Sequence, residues 1–169
     1  MKVAPEIIAA LCRKRADDLL TPKAWQGTPL DKVRLLWGLA GVESSFGWEC
    51  NPKHEAGYCH GGKYFDPGRT KEWGCLAHCS FGPWQVMYCN FPLGVSPLSL
   101  MWDTDGQVAA DLGLRGAISV LNRAIARGVG HLGDIVIAYN GPEYEAQYSS
   151  VLVDRMAHPM PDGAAAEMA

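Results

Sequence analysis

Glu43 is the residue whose position most directly indicates chemistry. Before it, Val33, Leu36–Trp37 and Ala40 recur at three- and four-residue spacing, which predicts the buried stripe of an amphipathic helix. Three residues further on, Glu43 lies on the same stripe near the predicted helix end. Burial raises the pKa of a carboxyl group, and the helix C-terminus acts in the same direction, so Glu43 is a candidate general acid. A glutamate bonded to nearby backbone at a frayed helix end is the alternative.

Cysteines form a second concentration of reactive side chains. Five of the six lie between residues 50 and 89, and Cys12 stands alone upstream. We expect disulfides ahead of zinc or free thiols, although six cysteines permit 15 pairings and the sequence cannot choose among them. Only Cys75 and Cys79 have the short spacing typical of zinc ligands. A zinc set would draw on the Cys and His side chains of this stretch, namely Cys59, His60, Cys75, His78 and Cys79, with Cys50, His54 and Cys89 in reserve. Any zinc would be structural, and we expect no catalytic metal or cofactor.

Helical patterns flank this stretch on both sides. The first helix is predicted over Pro5–Leu20, and the second begins with Thr28 as cap and Pro29 in the first turn and ends near Phe46. Three more follow the stretch: one from a cap at Asp103 or Thr104 to Gly128, one over Leu132–Asn140, and one from Gly141–Pro142 to about Ala157.

Residues 47–91 show no helical period, and we interpret them as an irregular Cys-rich insert. Trp84, Val86 and Tyr88 alternate with Gln85 and Met87, which predicts a short strand pair at Trp84–Tyr88. The predicted fold class is therefore mainly α: a helical domain over residues 1–158 with a small strand pair. Residues 159–169 are predicted to form a flexible tail.

Composition excludes several classes of protein. The chain has 169 residues, 48% of them hydrophobic and 20% charged, which is typical of a globular domain. No apolar run approaches the ~18 residues of a membrane span. The apolar run near the N-terminus is too short for a secretion signal. With 15 basic and 18 acidic residues the net charge is −3, so we expect no nucleic-acid partner. We expect a monomer.

Three short blocks carry a family resemblance. They are Glu43-Ser44-Ser45-Phe46, then Ser80-Phe81-Gly82-Pro83-Trp84-Gln85-Val86, then Ala138-Tyr139-Asn140-Gly141. In this order they resemble the lytic transglycosylases with the goose-type-lysozyme-like fold. There, a Glu-Ser pair ends a core helix, a Gly-x-x-Gln block lines the opposite wall, and an Ala-Tyr-Asn block closes the site. The resemblance implies an α+β lysozyme-like domain over roughly Leu30 to Tyr148.

The resemblance implies cleavage of the β-1,4 bond between N-acetylmuramic acid and N-acetylglucosamine in peptidoglycan glycan strands. Glu43 would act as acid and then as base, giving a 1,6-anhydro product. Gln85, Ser45 and Ser80 would contact the sugars. Tyr139 would reach toward the carboxyl group, and Asn140 would hold the helix end.

No second carboxylate stands out in the sequence, which favours a transglycosylase over a hydrolytic goose-type-like lysozyme or a chitinase. Glu55 and Asp66 lie in the insert. Pro83 and Trp84 depart from the family pattern, and we expect Trp84 to offer a sugar-stacking face. A non-catalytic glycan-binding module is the rival from another class, and a zinc-stabilised interaction domain is the third.

We expect the protein to act in the cell envelope, the periplasm or the cell wall. The lack of a recognisable signal suits a phage lysis or virion enzyme made in the host cytoplasm. The cysteines favour an exported bacterial protein.

Overall fold

A computed structural model describes residues 2–21, 31–91, 94–101, 106–141 and 145–162. This part of the chain is mainly helical with a small antiparallel sheet, as predicted. The helices are α1 (Pro5–Arg15), α2 (Lys32–Ser44), α3 (Pro67–Trp73), α4 (Pro97–Met101), α5 (Gln107–Ala126), α6 (Leu132–Asn140) and α7 (Glu145–Ala157); the strands are β1 (Lys53–His54), β2 (Cys79–Phe81) and β3 (Val86–Met87).

Helix α2 lies in the core and packs most extensively against α7. Its N-cap is Asp31, whose side chain accepts a hydrogen bond of 2.9 Å from the backbone N–H of Arg34. The close approach of α7 depends on Gly38. A Cβ atom there would lie 2.5 Å from Cγ and 3.0 Å from the backbone nitrogen of Met156. The predicted cap and first-turn residues, Thr28 and Pro29, lie outside the described residues.

The C-terminus of α2 is a tight left-handed turn. Ser45, Phe46 and Gly47 have φ values of 51°, 58° and 96°. The backbone N–H of Phe46 bonds the Ala40 carbonyl at 3.2 Å, which closes the helix end as in a Schellman motif. The Phe46 ring then stacks on Trp37 with 4.3 Å between centroids. Glu43 therefore lies in a last turn that is fixed on both its backbone and its apolar side.

The insert is more regular than predicted. Its three strands pair in the order β1-β2-β3, with His54 opposite Cys79 and Ser80 opposite Met87. The strand pair predicted at Trp84–Tyr88 is confirmed in part: Val86–Met87 is strand, but its partner is β2 (Cys79–Phe81), which lies before the predicted stretch. Helix α3 was not predicted. It begins behind Asp66, whose side chain caps the first turn.

One tryptophan differs from its predicted role. Trp84 is fully buried, and its indole N–H donates to the Leu36 carbonyl at 2.8 Å, so it has no face free to stack on a sugar. Trp48 is 60% exposed. Trp73 is partly buried against the core. Trp25 and Trp102 lie outside the described residues.

Helices α1, α5, α6 and α7 follow the predictions with small shifts, whereas α4 was not predicted. Helix α1 ends at Arg15 and continues as a 3-10 turn to Asp18, short of the predicted Leu20. Helix α6 has the predicted bounds, and α7 ends at the predicted Ala157. Asp103 and Thr104, the predicted caps of the long helix, lie outside the described residues, and α5 begins behind Gly106.

The start of the predicted tail contacts the domain. Met160 packs against the core, and the Pro161 carbonyl accepts a hydrogen bond of 2.6 Å from Arg13. Residues 163–169 lie outside the described residues. Among the helices that the structure describes, none is both long enough and apolar enough to cross a membrane.

Candidate active site

The Glu43 carboxyl group is partly buried where the C-terminal end of α2 meets α6 and α7. Its Oε1 atom accepts a hydrogen bond from the hydroxyl of Tyr148 on α7. The same oxygen accepts a bond of 3.3 Å from Nδ2 of Asn140, the last residue of α6. Three helices thus supply one carboxyl group and the two donors that orient it.

The pKa of Glu43 is raised above its usual range, chiefly by burial. The hydrogen bonds from Tyr148 and Asn140 act against this shift, since both stabilise the anion, and so does the positive charge of Lys53. The negative charge of Glu55 adds to the shift. The carboxyl group is therefore biased toward its protonated form, which a general acid requires.

Tyr139 lies beside this site but bonds elsewhere. Its hydroxyl donates to the Trp84 carbonyl at 2.7 Å, which ties α6 to the turn between β2 and β3. Burial and the charge of Glu43 hold the pKa of Tyr139 well above its usual value, so the phenol stays neutral. The tyrosine that contacts Glu43 is instead Tyr148, which the sequence analysis did not single out.

Ser80 and Gln85 are hydrogen-bonded to each other on the small sheet and its turn. The buried Ser80 hydroxyl lies 3.0 Å from Oε1 of Gln85 and 3.3 Å from the Lys53 carbonyl. The Gln85 amide nitrogen donates to the carbonyls of Gly82 and Asn51 at 2.9 and 3.3 Å. Both amide hydrogens bond within the protein, so a ligand could form a hydrogen bond only with the side-chain oxygen, which can accept a second one.

The two serines after Glu43 have different roles. Ser44 is buried; its hydroxyl donates to the Ala40 carbonyl and accepts from the Gly47 N–H, both at 3.0 Å. Ser44 therefore holds the helix end. Ser45, the predicted sugar contact, is exposed at the left-handed C-cap two residues after Glu43.

Strained backbone coincides with these motifs. In the described part of the chain, the residues other than glycine with positive φ are Ser45, Phe46 and Gln85, the last at 44°. Such conformations cost energy and concentrate at functional sites. All three lie in the first two blocks of the family resemblance.

A second carboxylate, Glu55, acts electrostatically on Glu43. Its negative charge makes the smallest of the contributions to the pKa of Glu43, and it pairs with Lys53 at 3.4 Å. Glu55 lies in the Cys-rich insert, and no second carboxylate was expected from there. Glu55 directly follows β1, which pairs with β2.

The insert also contains a cluster of metal-ligating side chains. All six cysteines are free thiols in this structure. Ligand atoms of His54, Cys59 and His78 lie within 4.8 Å of one another. His60, which the sequence also offered as a ligand, packs instead against the Phe65 ring.

Two surface depressions, of about 490 and 400 Å³, flank α5 and are both lined by Arg115, Ser119 and Arg123. Neither is lined by Glu43 or by a predicted sugar-binding residue. The Glu43 site is defined by its hydrogen bonds and charges rather than by the volume of a cavity.

Comparison with known protein families, with curated proteins and with solved structures found no match to this chain.

Proposed function

We propose that this protein is a peptidoglycan lytic transglycosylase with a lysozyme-like fold and Glu43 as its single acid and base. The supporting observation is the partly buried Glu43 carboxyl group, which has a raised pKa and two oriented donors, Tyr148 and Asn140. The three ordered sequence blocks supply the substrate class. The proposed site of action is the cell envelope.

In the proposed reaction, protonated Glu43 donates its proton to the glycosidic oxygen as the bond from that oxygen to C1 of N-acetylmuramic acid breaks. The resulting Glu43 carboxylate then takes the proton from the 6-hydroxyl of the same sugar. O6 bonds to C1, the 1,6-anhydro ring closes, and Glu43 is again protonated. No water is consumed, so one carboxyl group suffices.

Tyr148 and Asn140 stabilise the carboxylate form that Glu43 takes between the two proton transfers. Their bonds favour the carboxylate, while burial favours the acid, so the two influences hold the pKa between the extremes that either alone would produce. A group that must donate and then accept a proton works best with such an intermediate pKa.

A hydrolytic lysozyme is the second candidate, and Glu55 is the carboxylate that it would use. An inverting hydrolase needs a second carboxylate to activate water, and Glu55 is the acidic side chain that acts electrostatically on Glu43. The pairing of the half-buried Glu55 with Lys53 favours instead a role in tuning the charge around Glu43.

Mass spectrometry of the products from purified peptidoglycan tests the proposal, with Glu43→Gln and Glu55→Gln as matched variants. We expect anhydro-muropeptides from the wild type and from Glu55→Gln. We expect a loss of about 10²–10⁴-fold in rate for Glu43→Gln. Reducing-end products that disappear in Glu55→Gln would establish the hydrolase. Binding to insoluble peptidoglycan without products, unchanged in Glu43→Gln, would establish a glycan-binding module.

A further inference from the structure

The cluster of His54, Cys59 and His78 brings together residues from three places in the insert. His54 ends β1, Cys59 follows the short 3-10 turn Ala56–Tyr58, and His78 directly precedes β2. Cys59 Sγ lies 3.1 Å from His54 Nε2. A tetrahedral zinc ion with Zn–N of about 2.0–2.1 Å and Zn–S of about 2.3 Å separates its ligands by roughly 3.3–3.8 Å. The observed spacing, at most 4.8 Å, reaches that range through small side-chain movements.

The hydrogen bonds of His78 prepare it as a ligand. Thr70 donates its hydroxyl hydrogen to the Asp66 carbonyl at 2.7 Å, so at its 2.9 Å contact with Nε2 of His78 it acts as the acceptor. The imidazole proton therefore resides on Nε2, and Nδ1 carries the lone pair that a metal requires. Histidine ligands of metals generally donate their second ring N–H to a partner of this kind.

Cys79 adjoins this cluster and offers a fourth ligand. Its Sγ is not within 4.8 Å of all three ligand atoms and donates to the Cys75 carbonyl at 3.5 Å, so its side chain would turn toward the ion on binding. Cys79 lies directly opposite His54 in the antiparallel pair of β1 and β2, so their side chains project from the same face of the sheet. We propose that His54, Cys59, His78 and Cys79 bind one structural zinc ion. Two neutral imidazoles and two thiolates would balance the charge of Zn²⁺, a common ligand set of structural zinc sites.

The ion would stabilise the part of the sheet that holds Gln85. Two of its ligands lie on the strands next to the residues concerned, because Lys53 precedes His54 and Ser80 follows Cys79. Ser80 bonds both the Lys53 carbonyl and Gln85. Zinc would fix the register of β1 on β2 and with it these bonds. The binding of zinc itself does not depend on the proposed glycan cleavage.

Zinc content of the full chain tests the proposal. Protein purified with reductant and supplemented with zinc, then desalted, is analysed for metal by inductively coupled plasma mass spectrometry. We expect about one zinc per wild-type chain and less than a tenth of that for Cys59→Ser and Cys79→Ser. His60→Ala and Cys75→Ser are the matched controls and should keep the metal, since neither residue is in the proposed set.

A second measurement uses the wild type alone, in case the cysteine variants do not fold. Cobalt substituted for zinc should give the intense visible bands of a tetrahedral site and a thiolate-to-metal charge-transfer band. A strong chelator should lower Tm, and zinc should restore it. The proposal is overturned if the protein contains no zinc and its Tm is unchanged by chelator and by zinc, or if the cobalt spectra are octahedral. It is also overturned if Cys59→Ser retains zinc, or if Cys59 forms a disulfide in protein kept reduced.

Discussion

The hydroxyl group of Tyr148 donates a hydrogen bond to Oε1 of Glu43, joining residues 105 positions apart in the chain. Tyr148 is partly buried, and burial together with the charge of Glu43 raises the pKa of its phenol far above the usual value. The phenol therefore remains a donor throughout the range in which Glu43 titrates. This pairing links the protonation of the carboxyl group to the docking of α7 on α2.

Tyr148→Phe should shift the pH dependence of activity. Its hydroxyl stabilises the Glu43 carboxylate, so removing it raises the pKa of Glu43 further. Because the first step needs the protonated acid, the alkaline limb of kcat/KM should move to higher pH while the maximum rate falls. Turbidity loss of peptidoglycan suspensions measured across pH checks this. A limb that stays in place or moves to lower pH contradicts the role given to Tyr148.

Tyr139→Phe is the matched comparison and should act on stability instead. Removing this hydroxyl leaves the Trp84 carbonyl without its donor, at a cost of about 1–3 kcal/mol in the free energy of unfolding. Urea unfolding measures the loss. We expect the alkaline limb of the pH profile to stay where it is in the wild type. Full stability in the variant would mean that the bond to Trp84 contributes nothing.

Glu43→Gln should be more stable than the wild type at alkaline pH. The folded-state pKa of Glu43 is raised, so its contribution to stability is complete below the unfolded-state value near 4.5 and is lost as pH rises through the folded value. The neutral amide of the variant carries no such penalty and still offers an oxygen to Tyr148. Thermal unfolding at several pH values should show a Tm advantage that appears above pH 4.5, grows and then levels off. An advantage that is independent of pH would point to packing instead.

Gly38→Ala should destabilise the fold by about 1–3 kcal/mol, because the added methyl group meets the backbone and side chain of Met156 on α7. Gly113→Ala in α5 is the control. There the nearest atom to the new Cβ is Trp84 Cε3 at 3.9 Å, an ordinary contact. Helix propensity then favours alanine by about 1 kcal/mol, so this variant should match or exceed wild-type stability. Chemical denaturation measures the free energy of unfolding of both variants. Equal changes in the two would contradict the close approach of α2 and α7.

The helices were predicted well where apolar spacing and end residues mark them in the sequence. Helix α6 was predicted from its apolar run and its Asn140–Gly141 end, and α2 from the repeat that leads to Glu43. Helix α3 was missed although Asp66 and Pro67 form a standard cap and first turn. The glycine-rich surroundings and the short length of α3 concealed that signal.

Long-range contacts could not be read from the sequence. Tyr148 occupies an ordinary position on an amphipathic helix, and only the packing of α7 on α2 shows that it meets Glu43. Residue type alone suggested a sugar-stacking role for Trp84, whereas the face that it presents is determined by the core around α2.

The distance along the chain between Glu43 and its donors has a consequence for biosynthesis. Asn140 and Tyr148 follow Glu43 by 97 and 105 positions. At a translation rate of about 5–20 residues per second, Glu43 leaves the ribosome roughly 5–20 s before Tyr148. A nascent chain, or one whose synthesis stops early, carries the carboxyl group without the partners that orient it. The site becomes complete only once α7 has been made and has docked.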